Sequence, residues 1–153
     1  MHALADSPRI RVAAIIARDG GVLLVRHRKE GKTYWLLPGG GVEYGESLGD
    51  ALRREVREEA CVSIEPGRLV LVNDTLPPDG HRHIVNLAFT AAILEGEPAC
   101  GSDPRVVEVR FVAVEAIRGL ALYPDIRAEL VHGLRNGFAG GARYLGNLWQ
   151  EQA

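Results

Sequence analysis

Residues Gly40 to Val62 read GGVEYGESLGDALRREVREEACV. Two adjacent glycines start a turn, and Ser47 is placed to cap the helix that follows, with Asp50 as its capping-box partner. Leu48, Leu52, Val56 and Ala60 recur every four residues, which predicts a helix to about Ala60 with that stripe on the core. Glu55, Glu58 and Glu59 stand at i, i+3 and i+4, so their carboxylates share one side of the helix. Like charges at this spacing repel by about 0.2–0.5 kcal/mol per pair. They also crowd the last turns, where the helix dipole disfavours anions by roughly 0.3–1 kcal/mol each. A bound divalent cation removes both penalties. A solvated helix face rich in acids is the plain alternative.

Working outward, Ile10–Ala17 reads as a buried strand, Asp19-Gly20-Gly21 as a hairpin turn and Val22–Arg26 as the return strand. Residues 28–33 read as a charged loop. Trp35–Leu37 is a short apolar stretch stopped by Pro38-Gly39-Gly40-Gly41, where no regular element is expected. Beyond the helix, strands are expected at 68–73, 84–94 and 107–114, with a short helical piece near 115–119. A second amphipathic helix follows, with Asp125 as its cap and Leu130, Val131 and Leu134 on its core side. The apolar run Tyr144–Trp149 is expected to pack on the domain or on a second subunit, which leaves a homodimer open.

The 153 residues suit one compact domain over 1–153 with a sizeable core. The apolar fraction is 46% and the charged fraction 25%, which places the chain with globular proteins. A net charge of −2 gives no electrostatic case for non-specific nucleic-acid binding. Cys61 and Cys100 are too few and too separated for a disulfide scaffold or a thiolate zinc site, and a reduced, cytoplasmic setting is the simplest reading. Met1–Arg11 carries no signal-peptide pattern, and 12–17 is too short to span a membrane.

Clustered carboxylates beside backbone carbonyls suit a hard cation, Mg²⁺ or Mn²⁺. Mg²⁺ commonly shares its coordination sphere with substrate phosphates. The chemistry this points to is attack of water on a phosphoanhydride, with a glutamate taking the proton.

These residues resemble the Nudix hydrolase family. Its box is Gly, five residues, Glu, seven residues, then Arg-Glu-hydrophobe-X-Glu-Glu-X-Gly-hydrophobe. Gly40, Glu46, Arg54, Glu55, Val56, Glu58, Glu59 and Val62 supply eight of the nine defined positions across 23 residues. Trp35, Leu37, Pro38 and Gly39 resemble the family's lead-in. Cys61 stands where the family has Gly, at a helix end that needs a left-handed residue; a side chain there costs roughly 1 kcal/mol.

The resemblance implies an α/β fold, a Nudix-type α/β/α sandwich with a mixed β-sheet between helices. It implies that Glu55, Glu58 and Glu59, with the carbonyl near Gly40, hold the metal. Glu58 would be a further ligand or the proton acceptor, and Arg54 and Glu46 would position the glutamates through an ion pair. Asp103 and Glu108 are candidates for an extra ligand or base from a later loop. Arg26 and Arg28, after the second strand, are candidates for facing the phosphates of a small-molecule nucleotide substrate, with the backbone of Gly39 and Gly41. His81-Arg82-His83 is a second basic cluster. Pro77 and Pro78 resemble a pattern of ADP-ribose-cleaving members, though turn chemistry explains both equally well.

The implied activity is hydrolysis of the pyrophosphate linkage in nucleoside-diphosphate-X compounds: nucleotide sugars such as ADP-ribose, dinucleoside polyphosphates or (d)NTPs. The rival readings are a non-catalytic nucleotide-sensing module and a prenyl-diphosphate isomerase-like enzyme.

Overall fold

A computed structural model of the protein describes residues 7–151. Residues 1–6, part of the segment read for a signal pattern, and residues 152–153 lie outside that range. The elements run β1 (Arg9–Ile15), β2 (Ala17–Arg18), β3 (Gly21–Lys29), β4 (Lys32–Leu36), β5 (Gly39–Gly41), α1 (Leu48–Ala60), β6 (Ser63–Thr75), β7 (Ile84–Glu95) and β8 (Val106–Ala113). A 3₁₀ turn at Val114–Gly119, α2 (Arg127–Asn136) and β9 (Arg143–Asn147) complete the chain.

Two sheets form instead of one. The first has the order β5-β1-β7-β6-β9 and is mixed: β1 runs parallel to β7 and antiparallel to β5, and β9 runs parallel to β6. The second joins β2, β3 and β4, with β8 on the free side of β3. Side chains alternate along β1 because successive residues of a strand point to opposite faces. Val12, Ala14 and Ile16 pack with Ala51, Leu52 and Val56 of α1. Ala13 and Ile15 share the other core with Leu130 and Val131 of α2. The sandwich order, helix–sheets–helix, therefore follows from one alternating strand.

Local chemistry explains where the elements depart from expectation. Residues 28–33 are a tight hairpin, not a loop. Glu30 and Gly31 both take positive φ, 52° and 76°, as the preferred two-residue hairpin turn requires, and Lys29 pairs with Lys32. The glycine run is a strand, because its bare backbone can lie against β1: a Cβ on Gly39 would stand 2.0 Å from the Val12 carbonyl oxygen. Within α1, Leu48 is exposed and Ala51 takes its place on the buried stripe. Asp125 accepts the Arg127 amide, one residue ahead of the cap position at Ile126. The apolar segment 144–149 is used within the chain: Leu145 and Leu148 pack on the α2-side core. Among the described residues no helix is long and apolar enough to cross a membrane.

Candidate functional site

α1 starts as read. Ser47 Oγ accepts the Asp50 amide at 3.1 Å, and the helix ends at Cys61, whose φ of 62° is left-handed. The last carbonyls of a helix lack partners within it. Here the segment ahead of β8 supplies them: the amides of Ala99, Gly101 and Ser102 donate to Ala60, Glu59 and Glu58. Cys100 thereby lies beside Cys61, whose Sγ is 3.6 Å from the Cys100 carbonyl. The two cysteines are close in space despite their separation in sequence, and both remain free thiols.

Arg54 organises the carboxylates. Its Nε and Nη2 donate to the two oxygens of Glu46 at 2.7 and 2.9 Å. Its Nη1 donates to Glu55 at 2.9 Å and reaches Glu58 at 3.5 Å, and Nη2 also donates to the Gly41 carbonyl at 3.0 Å. The guanidinium holds Glu46 well below the usual carboxylate range, at about 2. Glu55 shifts the other way: burial raises it, with Glu58 and Glu59 adding to the rise and Arg54 opposing it. The Glu55 carboxyl carbon would lie 2.3 Å from a Cβ on Gly40, so the side chain fills the space that glycine leaves.

Glu59 turns inward. It is 2% exposed, its Oε1 accepts the Gly39 amide at 2.8 Å, and its Oε2 lies 2.8 Å from His27 Nε2. A buried carboxylate needs such partners. Nothing local in the sequence singles out His27, which sits between Arg26 and Arg28; the pairing of β3 across the fold brings it to Glu59 near the end of α1.

The other candidates divide. Gly39, Gly40 and Gly41 lie against the glutamates. Arg26 does not: it alternates with His27 on β3, lies over the Trp35 ring at 5.6 Å and pairs with Glu108 at 3.2 Å. Arg28 is exposed on the same side of the strand as Arg26. Glu108 is shared by Arg26 and Arg110, and Asp103 pairs with Arg105, which holds it below its ordinary value. Arg11 enters unannounced. Half-buried, it donates to the Leu37 carbonyl at 3.1 Å; burial lowers its pKa, opposed by the charges of Glu59 and Glu55.

Among the described residues no three His, Cys, Asp or Glu side chains are already gathered around one point as a metal cluster. The donor chemistry nevertheless fits a hard cation. Glu55 and Glu58 both reach one guanidinium nitrogen, the Glu55 carboxylate packs against Gly40, and the carboxylates offer only oxygen. Glu59 would have to leave His27 or Gly39 to join them.

Solved structures share this architecture. A NUDIX hydrolase from Nitrosomonas europaea superposes with a TM-score of 0.75 at 24% identity, covering 86% of this chain and 90% of its own. A MutT NUDIX hydrolase from Burkholderia pseudomallei gives 0.64 at 32% identity, covering 71% and 85%. Among curated proteins, an ADP-ribose pyrophosphatase from Methanocaldococcus jannaschii is 30% identical over 66% of this chain, a match that spans only 60% of that relative. Phosphatase NudJ of Escherichia coli K12 is 29% identical over 90% of this chain and 87% of its own length. The NUDIX domain family matches residues 7–134, the stretch from before β1 into α2, and the chain belongs to the Nudix hydrolase family.

Proposed function

We propose that this protein is a single-domain pyrophosphohydrolase that cleaves the phosphoanhydride of nucleoside-diphosphate-linked compounds with Mg²⁺ or Mn²⁺ bound. The observation that carries it is the single guanidinium of Arg54 gathering Glu46, Glu55 and Glu58 against the backbone of Gly40 and Gly41. A resident cation supplies charge neutralisation at the phosphate oxygens and acidifies water. Glu55, Glu58, Glu59 and the Gly40 carbonyl would hold it.

The chain's own residues do the rest. Arg54 and Glu46 keep the carboxylates from repelling one another apart. Two side chains are suited to taking the proton from water. Glu55 is raised toward the working pH by burial, and a base is most effective when its pKa lies near that pH. Glu58 has more freedom, being exposed and held by a single contact of 3.5 Å. The name of the archaeal relative brings ADP-ribose forward as a substrate, alongside other nucleotide sugars, dinucleoside polyphosphates and (d)NTPs.

A panel of these compounds incubated with Mg²⁺ in ¹⁸O-water and read by mass spectrometry identifies both the substrate and the phosphorus attacked. Glu58→Gln and Glu55→Gln are each expected to lower kcat by about 10²-fold or more, and the pH–rate limb that disappears names the base. Normal hydrolysis by both variants would overturn the assignment. Metal-stabilised binding without any product would favour the nucleotide sensor instead.

A further inference from the structure

Free cysteine is among the side chains most often buried. This chain has two, and both are exposed. They stand 39 residues apart in sequence, and the fold brings them together at the C-terminal end of α1. The Cys61 thiol donates to the Cys100 carbonyl at 3.6 Å. That oxygen lies about 2.4 Å from its own Cα, which puts the Cys61 sulfur within about 6 Å of the Cys100 Cα.

The backbone builds this meeting. The amides of Ala99, Gly101 and Ser102 donate to the carbonyls of Ala60, Glu59 and Glu58 at 3.0, 3.3 and 3.1 Å. Position 101 must be glycine for the two segments to lie so close: a Cβ there would stand 1.9 Å from the Glu58 carbonyl oxygen and 3.5 Å from Cys61 Sγ. On the helix side, Cys61 is the left-handed residue at which α1 ends. The hydrogen bonds that satisfy the last carbonyls of the helix therefore also set the two thiol-bearing residues side by side.

A short movement separates this contact from a bond. A disulfide needs its Cα atoms about 4.4–6.8 Å apart and its Cβ atoms about 3.8 Å apart. Cys100 is exposed, and the stretch between β7 and β8 holds no helix or strand and contributes to neither core. Its side chain can turn toward Cys61 without disturbing packed residues.

We propose that Cys61 and Cys100 form a redox-active dithiol site whose disulfide fastens the segment ahead of β8 to the end of the glutamate helix. The oxidant is a small-molecule disulfide such as oxidised glutathione. The sulfur of one cysteine attacks it, forming a mixed disulfide and releasing one small thiol. The sulfur of the other cysteine then attacks the first, the protein disulfide forms, and the second small thiol leaves. Two protein thiols become one disulfide, one small disulfide becomes two thiols, and the two protons pass to the departing thiols. The bond holds the amides of 99–102 on the carbonyls of Glu58, Glu59 and Ala60, the turn from which the box carboxylates project.

The test uses the full chain and no substrate, so its result is independent of the hydrolase reading. Protein incubated with oxidised glutathione is read by intact mass and peptide mapping. Wild type should lose the mass of two hydrogens and give one cross-linked pair of peptides, carrying Cys61 and Cys100, which dithiothreitol separates. Cys61→Ser and Cys100→Ser should each retain one bound glutathione instead, because the resolving thiol is gone. Thermal melts establish that both variants are folded, and the comparison of oxidised with reduced wild type needs no variant. Hydrogen exchange of the Gly101 and Ser102 amides should slow by about tenfold or more on oxidation, with α2 unchanged. Glutathione retained on wild type, disulfide-linked dimers, or thiols that do not react would each overturn the site. A cross-link that leaves exchange at Gly101 and Ser102 as it was would overturn its fastening role.

Discussion

Arg54 donates to Glu46 twice and to Glu55, Glu58 and the Gly41 carbonyl once each, so its planar fork is matched on every side. A lysine is a point charge and cannot reproduce two-pronged binding to Glu46 while also reaching Glu55. Arg54→Lys is expected to lower kcat/KM by about 10–100-fold, the scale for groups that orient metal ligands, while circular dichroism stays that of the wild type. Glu55 allows a test without substrate. Burial raises its pKa in the folded protein, so the folded state binds more protons than the unfolded one between the ordinary carboxylate value and the raised one. Stability of the metal-free protein is therefore lost as pH rises through that window, and the penalty persists above it. Glu55→Gln should melt higher than wild type in EDTA at neutral pH, with the gap closing on acidification. Added Mg²⁺ should raise the wild type more than the variant. A variant that melts lower than wild type in EDTA at pH 7 would contradict this account of the site.

At the scale of elements, α1 was legible nearly from end to end. Ser47 caps it, Leu52, Val56 and Ala60 are buried, and Cys61 takes the left-handed conformation that the family's glycine would adopt. Cys61→Gly removes the steric cost of that conformation and should stabilise the protein by about 1 kcal/mol, read as a higher denaturation midpoint in urea at unchanged slope. A loss of stability would mean that the contact of the Cys61 thiol with the Cys100 carbonyl outweighs the strain. The glycine strand β5 was illegible for a physical reason. Glycine has no strand propensity of its own, and Gly39–Gly41 pair with β1 only because the missing side chains let the Val12 backbone and the Glu55 carboxylate come close. The partners of Glu59 were illegible for a related reason. Helical spacing puts it beside Glu55, but its buried partners, the Gly39 amide and His27, belong to strands that no periodicity connects to the helix.

The whole molecule divides along the same line. What depends on neighbours in sequence could be read: the box, the buried strand that became β1, the hairpin at Asp19-Gly20. What depends on sheet order could not, and that includes a cleft whose walls come from β1, β4, β7 and residues 148–150. The family match stops at residue 134, ahead of β9. β9 is an edge strand, paired on one side only, to β6. Removing it takes away the partial burial of Leu145 and Leu148 and, with it, the entropic cost of ordering the residues that carry them. These effects oppose one another, so the net cost to folding is small. Arg68 keeps its hydrogen bonds to the carbonyls of Gly137, Phe138 and Gly140 in a chain ended after Gly141. That chain should still unfold cooperatively, with its melting point lowered by a few degrees. A chain that no longer folds would place β9 inside the folding unit.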